Sequence, residues 1–266
     1  MVLIGLWFLL LLLLAVVSVY GSITMILSRH VISGLIVVIV VFISAVLVEV
    51  TLLFLLRTQV ANNQYYWHQK QPLLGKEIVY VAIGDSAAQG IGASSTKYSY
   101  VSLVAANIKQ QTGRSVRVIN LSRSGAKLDD LLSQQLPKLQ GMQPDIVTVD
   151  IGANDIAHGT ASSVMIEDYK RLIGGLSSYP VVFANLPDFM WGTQQRNTTA
   201  LNTTIVSLCS QYGLQLADLH QATHAKMWFF NEYAADGFHP SNRGHQTWAS
   251  SFDRGVRSLL ARSTRQ

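Results

Sequence analysis

The first 56 residues carry only two charged side chains, Arg29 and Glu49, and this scarcity restricts their fold more than any other feature of the chain. Residues 1–20 are almost wholly apolar, 21–34 form a more polar interval holding Ser28, Arg29 and His30, and 35–56 are apolar again apart from Glu49. A bilayer is crossed by about 20 apolar residues in a helix, and each run is long enough. The expectation is a helical membrane hairpin with spans at about 2–20 and 35–56, making this a two-pass integral membrane protein. A cleavable signal peptide is the competing reading of the first run, but no basic stretch precedes it and no small-x-small cleavage site follows it. Glu49 inside the second span is read as an acid tolerated between packed helices or near an interface.

The net charge of +5 divides into +3 for residues 1–76 and +2 for the remainder. The second part is close to balanced, so the basic balance gives no nucleic-acid footprint. Arg29 lies between the two spans, and Arg57, Lys70 and Lys76 follow them. This excess favours a cytoplasmic catalytic domain by the positive-inside rule, whereas an envelope substrate requires the opposite side. Residues 57–76 read as a linker whose Tyr65, Tyr66 and Trp67 form an interfacial belt or pack against the domain.

Beyond residue 76 short apolar runs alternate with amphipathic stretches, the pattern of a parallel sheet covered by helices. Strands are expected near 77–84, 115–121, 145–152, 179–186 and 214–219. Helices are expected near 99–112, 128–139, 162–176, 198–212 and 243–262. In an open parallel sheet ligands bind beyond the carboxyl ends of the strands. Four short motifs fall at that rim or in the last loop: Gly84-Asp85-Ser86 with Gly90, Asn120-Leu121-Ser122-Arg123-Ser124-Gly125, Gly152-Ala153-Asn154-Asp155, and Asp236-Gly237-Phe238-His239-Pro240.

The ordered set resembles the SGNH branch of the GDSL hydrolases, over residues 77–266. Each tripeptide alone reads as a turn, a cap or a loop. The resemblance implies a three-layer α/β/α flavodoxin-like domain and a serine esterase without cofactor or metal. The motif runs Ser86-Ala87 where the family's name has leucine, a change outside the chemistry. A serine hydroxyl needs a base, and His239 is the candidate; Asp236, in the same turn, is placed to fix its tautomer. The resemblance assigns the oxyanion donors to the amide of Ser86, the amide of Gly125 and the side chain of Asn154. Glycine at 125 is read as allowing close backbone approach, and Asp85 and Asp155 as structural acids tying loop amides.

Other residues are read more plainly. His220 and His224 stand one helical turn apart but lack the glutamate and third ligand of a zinc hydrolase, so lining or surface is preferred to metal. Cys209, the only cysteine, falls on a helix face with Leu201, Ile205, Leu208 and Tyr212 and reads as core. Phe189, Met190, Trp191, Trp228, Phe229, Phe230 and Tyr233 read as core or lid, or else as an acyl or sugar platform. Asn197 and Asn202 head glycosylation sequons that matter only in a secretory compartment.

The expected activity is cleavage of a small-molecule, lipid or glycan ester through an acyl-Ser86 intermediate. An O-acyltransferase or a carbohydrate O-acetyl esterase acting on envelope glycans is the nearest alternative. A non-catalytic membrane-tethered binding module is the alternative of another class, but it has no need of all five residues.

Overall fold

Strand β1 (Ile78–Gly84) contains no polar face. Tyr80 and Ala82 point to one side and Val81 and Ile83 to the other, and all four are fully buried. A strand of this kind is stable only at the centre of a sheet covered on both sides. The computed structural model describes residues 16–17, 19–21, 31–69, 77–188, 193–224 and 231–263. In it β2 (Val116–Asn120), β3 (Ile146–Asp150), β4 (Val181–Ala184) and β5 (Gln215–Ala217) join β1 in an all-parallel sheet of order β2-β1-β3-β4-β5. Each strand falls in an interval expected from the sequence. The order reverses beside β1, so the carboxyl ends of β1 and β3 open onto the switch-point crevice.

The helices are α1 (Val31–His68), α2 (Ser86–Gln89), α3 (Tyr100–Thr112), α4 (Leu128–Asp130), α5 (Leu136–Leu139), α6 (Ala153–Ala157), α7 (Ser162–Leu176), α8 (Thr193–Tyr212), α9 (Leu219–His224) and α10 (Asn242–Ser263). On one face of the sheet, Val81, Ile83 and Val149 pack with Leu128, with Tyr169 and Leu172 of α7, and with Leu201 and Cys209 of α8. On the other, Tyr80, Ala82 and Val182 pack with Val101 and Val104 of α3, and with Trp248 and Phe252 of α10. Each such side chain removed from water contributes about 1.5–3 kcal/mol, which is what binds the three layers. Cys209 is the buried core residue expected, its thiol pushed up to about 12 by burial.

The helix expected over 128–139 is interrupted by a π turn, Leu131–Gln135, just before Pro137. Proline has no N–H for the carbonyl of Ser133, and its ring displaces that turn. The local widening leaves Gln135 buried against the end of β1.

The linker reading of 57–76 is corrected in its first part. Residues 57–68 continue α1, and Trp67 joins the core against β1 and α3. Gln59, Asn63 and Trp67 recur every four residues on one helical face, and their polar atoms bond the domain, so helix persists where local composition suggests a loop. Residues 70–76 lie outside the described residues. Among the described residues, α1 is the one helix long and apolar enough to cross a membrane. It is not a core helix of the domain, for Leu47 and Phe54 are 60% and 64% exposed. The first expected span, 2–20, lies mostly outside the described residues, so one of the two expected spans is described.

Candidate active site

β1 ends at Gly84 with φ +152°, and a Cβ there would stand 2.2 Å from the carbonyl oxygen of Asp150. Glycine lets the chain turn sharply off the sheet into α2, which Ser86 opens. Asp85 caps this short helix by accepting from the Ala87 amide at 3.0 Å. Gln135 grips the turn from below: its Oε1 accepts from the Gly84 amide and its Nε2 donates to the Gly84 carbonyl, both at 2.8 Å. From the β2 side, Asn120 donates to the Ala88 carbonyl at 2.8 Å and accepts from the amide and hydroxyl of Ser122.

The turn 236–240 brings the other partners. Asp236 Oδ1 accepts from the amides of Phe238 and His239, each at 3.0 Å, and Gly237 takes the left-handed conformation that closes the turn. A bridge between Tyr233 and Pro240 pins its base. The second carboxylate oxygen meets His239 Nδ1 at 2.5 Å, and His239 Nε2 lies 2.9 Å from Ser86 Oγ. Acid, imidazole and hydroxyl thus form one hydrogen-bonded chain. Burial acts to raise the pKa of Asp236, but the hydrogen bond and charge of His239 and the two amides outweigh it and hold the carboxyl below the usual range.

Asn154 follows β3 on α6. Its Nδ2 donates to the Ala126 carbonyl at 3.0 Å, while the nearest acceptor for its second hydrogen, Asp85 Oδ2, is 3.5 Å away. That second hydrogen is only weakly engaged. Gly125 follows β2 with φ +79°, and a Cβ there would meet nothing within 4 Å. The left-handed backbone is in itself a reason for glycine at this position. The amides of Ser86 and Gly125 make no hydrogen bond within the described residues. Leu186, Pro187, Tyr233 and Phe238 line the cleft beside Ser86 and His239. A larger groove lined by Gln221, Gln246 and Arg254 holds none of the five residues, so size does not locate the chemistry.

Behind Ser86 lie three buried carboxyls. Asp155 accepts from the Leu128 amide at 3.1 Å and Asp85 from Ala87, the structural ties expected of both. Asp150 accepts from Trp248 Nε1 at 3.1 Å. Burial pushes Asp150 up to about 7, the Trp248 bond opposing, and Asp155 up to about 6. It also raises Asp85 well above the ordinary range, with the charge of Asp150 adding to the effect.

The remaining candidates fall away from the reacting atoms. His220 and His224 stack at 5.9 Å, and His224 Nδ1 pairs with Asp188 at 2.6 Å. Asn202 does not serve as a glycosylation acceptor: it is buried, and its amide bonds both the N–H and the carbonyl of Leu186. The side chain of Asn197 and residues Phe189, Met190, Trp191, Trp228, Phe229 and Phe230 lie outside the described residues. Reading the sequence missed Gln135, Asn120 and Trp248 as supports; the one signal for Gln135 was a polar residue on an apolar helical face beside a proline.

A model of the GDSL-like lipase/acylhydrolase family matches residues 82–247. No curated protein sequence matches the chain. Among solved structures, an alpha/beta hydrolase enzyme from the metagenome of Lake Arreo is 21% identical with a TM-score of 0.58, over 68% of this chain and 96% of that one. The lipase/acylhydrolase from Enterococcus faecalis is 20% identical with a TM-score of 0.56, over 68% and 96%. Axe2, an acetylxylan esterase from Geobacillus stearothermophilus, is 16% identical with a TM-score of 0.54, over 69% and 95%. These likenesses establish the fold, and the family match covers the strands and the turn that carry the site. The chain therefore belongs to the GDSL-like lipase/acylhydrolase family of ester-hydrolysing enzymes.

Proposed function

We propose that this enzyme is a membrane-anchored serine esterase that cleaves carboxylic esters through an acyl-Ser86 intermediate. His239 takes the proton from Ser86 as Oγ attacks the carbonyl carbon, and the oxyanion is met by the amides of Ser86 and Gly125 and by Asn154 Nδ2. The intermediate collapses as the alcohol leaves with the proton held on His239 Nε2. Water then attacks the acyl-serine, giving its proton to the same nitrogen, and Oγ recovers that proton as the acid departs. Asp236, kept ionised, stabilises the imidazolium and fixes its tautomer. The observation that carries the reading is the continuous chain from Asp236 through His239 to Ser86, at 2.5 and 2.9 Å. The exposed apolar surface of α1 supports membrane anchoring, and a two-pass topology remains our reading of residues 2–20 and 35–56.

Axe2 is named an acetylxylan esterase, and this favours a second reading, a carbohydrate O-acetyl esterase of envelope glycans. A fluorophosphonate probe should label the full-length protein and fail to label Ser86→Ala, and esters of graded acyl length should separate an acetyl-specific enzyme from one accepting long chains. A Ser86→Ala protein, free of contaminating esterase, that keeps its turnover would overturn the mechanism.

A further inference from the structure

The helix that carries the apolar segment does not stop at the domain's surface. Gln59 Oε1 accepts from the Gly92 amide at 2.9 Å and its Nε2 donates to the Ala93 carbonyl at 3.1 Å. One turn on, Asn63 Nδ2 donates to the Gln89 carbonyl at 3.2 Å, and after another turn Trp67 Nε1 donates to the same oxygen at 3.0 Å. Asn63 and Trp67 are 6% and 9% exposed, so these bonds are shielded from water. Three side chains of one helical face thus hold a single loop, 89–93.

That loop is tied to both ends of the reacting chain. It leaves the helix that Ser86 opens, with the Ile91 amide donating to the Ser86 carbonyl at 3.0 Å. At its far end Gly92 lies directly against the histidine turn: a Cβ on Gly92 would stand 2.3 Å from the Pro240 carbonyl oxygen and 3.0 Å from His239 Cβ. Buried His245 of α10 holds the middle by donating from Nε2 to the Ile91 carbonyl at 3.1 Å, while its Nδ1 accepts from the Tyr100 amide. The helical stripe through Asn63 continues at heptad spacing through half-buried Leu56 and Glu49. Gln59 sits about 4.5 Å along the helix axis beyond Leu56, where the apolar run ends.

We infer that the membrane helix is part of the catalytic scaffold, with Gln59, Asn63 and Trp67 acting as positioning residues that press the 89–93 loop against His239. The inference rests on the proposed roles of Ser86 and His239. Loosening the loop lets the imidazole back away from Oγ, and small misplacements of a catalytic group are costly in rate, so turnover falls while substrate binding does not.

The test uses full-length protein in detergent micelles, p-nitrophenyl acetate as substrate, and fluorophosphonate titration to count competent sites. Gln59→Ala combined with Asn63→Ala should lower kcat per titrated site by about tenfold with KM little changed, and should shift the acidic limb of the pH–kcat/KM profile. Trp67→Phe, which keeps an aromatic ring but loses the pyrrole ring and its donor, should move both in the same direction by less. Gln59→Glu keeps the acceptor for the Gly92 amide and should recover part of the loss seen in Gln59→Ala. Asn62→Ala, exposed on the same helix, should match wild type. Wild-type kcat per site with an unmoved pH profile, or a fall in the number of titratable sites alone, would overturn the inference. Retained turnover in Ser86→Ala would instead remove the mechanism on which it rests.

Discussion

Around Ser86 the chain is held by the sheet: Gly84 lies against the Asp150 carbonyl, Gln135 clamps it from the π turn, and Asn120 ties α2 to the neighbouring strand. Around His239 the chain is held mostly by itself, since Asp236 accepts from two amides of its own turn as well as from the imidazole. Ser86 is therefore placed by hydrogen bonds spanning scores of residues, whereas His239 is hydrogen-bonded to its acid within its own turn and takes its distant support from the packing of Gly92 against it. Damage to the first region should appear as lost folding, and damage to the second as lost chemistry in a folded protein.

The largest effect expected on this basis is Asp236→Asn. The amide keeps an acceptor for the turn but favours the wrong imidazole tautomer, so kcat should fall about 10³–10⁴-fold with the melting temperature nearly unchanged. A parallel loss of stability would break the contrast. Next comes Gly84→Ala, whose Cβ has no room; it should cost about 3 kcal/mol or more in thermal or denaturant unfolding. Gly237→Ala, at φ +63° with nothing within 4 Å of the new Cβ, should cost only about 1 kcal/mol. Equal costs at the two glycines would remove the distinction.

Asn154→Ala should lower kcat about 100-fold while leaving KM little changed, because its weakly engaged hydrogen serves the transition state. The smallest effect concerns Asp150. Its folded pKa of about 7 exceeds its ordinary 3.8, so the native state keeps a proton that the unfolded chain releases. Stability contributed by this group is complete below the unfolded value and is lost as pH rises through about 7. Asp150→Asn should flatten the fall in melting temperature between pH 4.5 and 8, by a few degrees. Asp85 and Asp155, raised in the same direction, leave a residual slope. An unchanged slope in the variant would show that Asp150 is not the buried acid responsible.

The same contrast explains what could be read before the fold was known. Asp236 and His239 announce themselves because their partnership is written within five positions, and the unbroken apolar run of Ile78–Gly84 marks a strand covered on both faces without reference to anything distant. Gln59, Asn63 and Trp67 do not, because their partners lie 22 to 34 residues away on a loop with no pattern of its own. Taken locally, Gln59, Asn62, Asn63 and Gln64 look like a linker, and only the docked loop gives that face a reason to be helical. Gln135 was hidden for the same reason, its two bonds reaching 51 residues back to Gly84. Asn202 shows another limit of local reading: its Asn-Thr-Thr string marks a sequon, whereas its amide, buried against Leu186, is a structural clasp.

The enclosure of Cys209 has a practical consequence. As the only thiol in the chain, packed among the residues of α8 and pushed up to about 12, it is protonated at neutral pH and screened from reagents. A maleimide should therefore leave the unmodified protein blank, and the chain serves as a silent background for cysteines introduced one at a time. Placed at position 29 and on the exposed face of the catalytic domain, such cysteines would report which compartment each occupies through their reaction with a membrane-impermeant label.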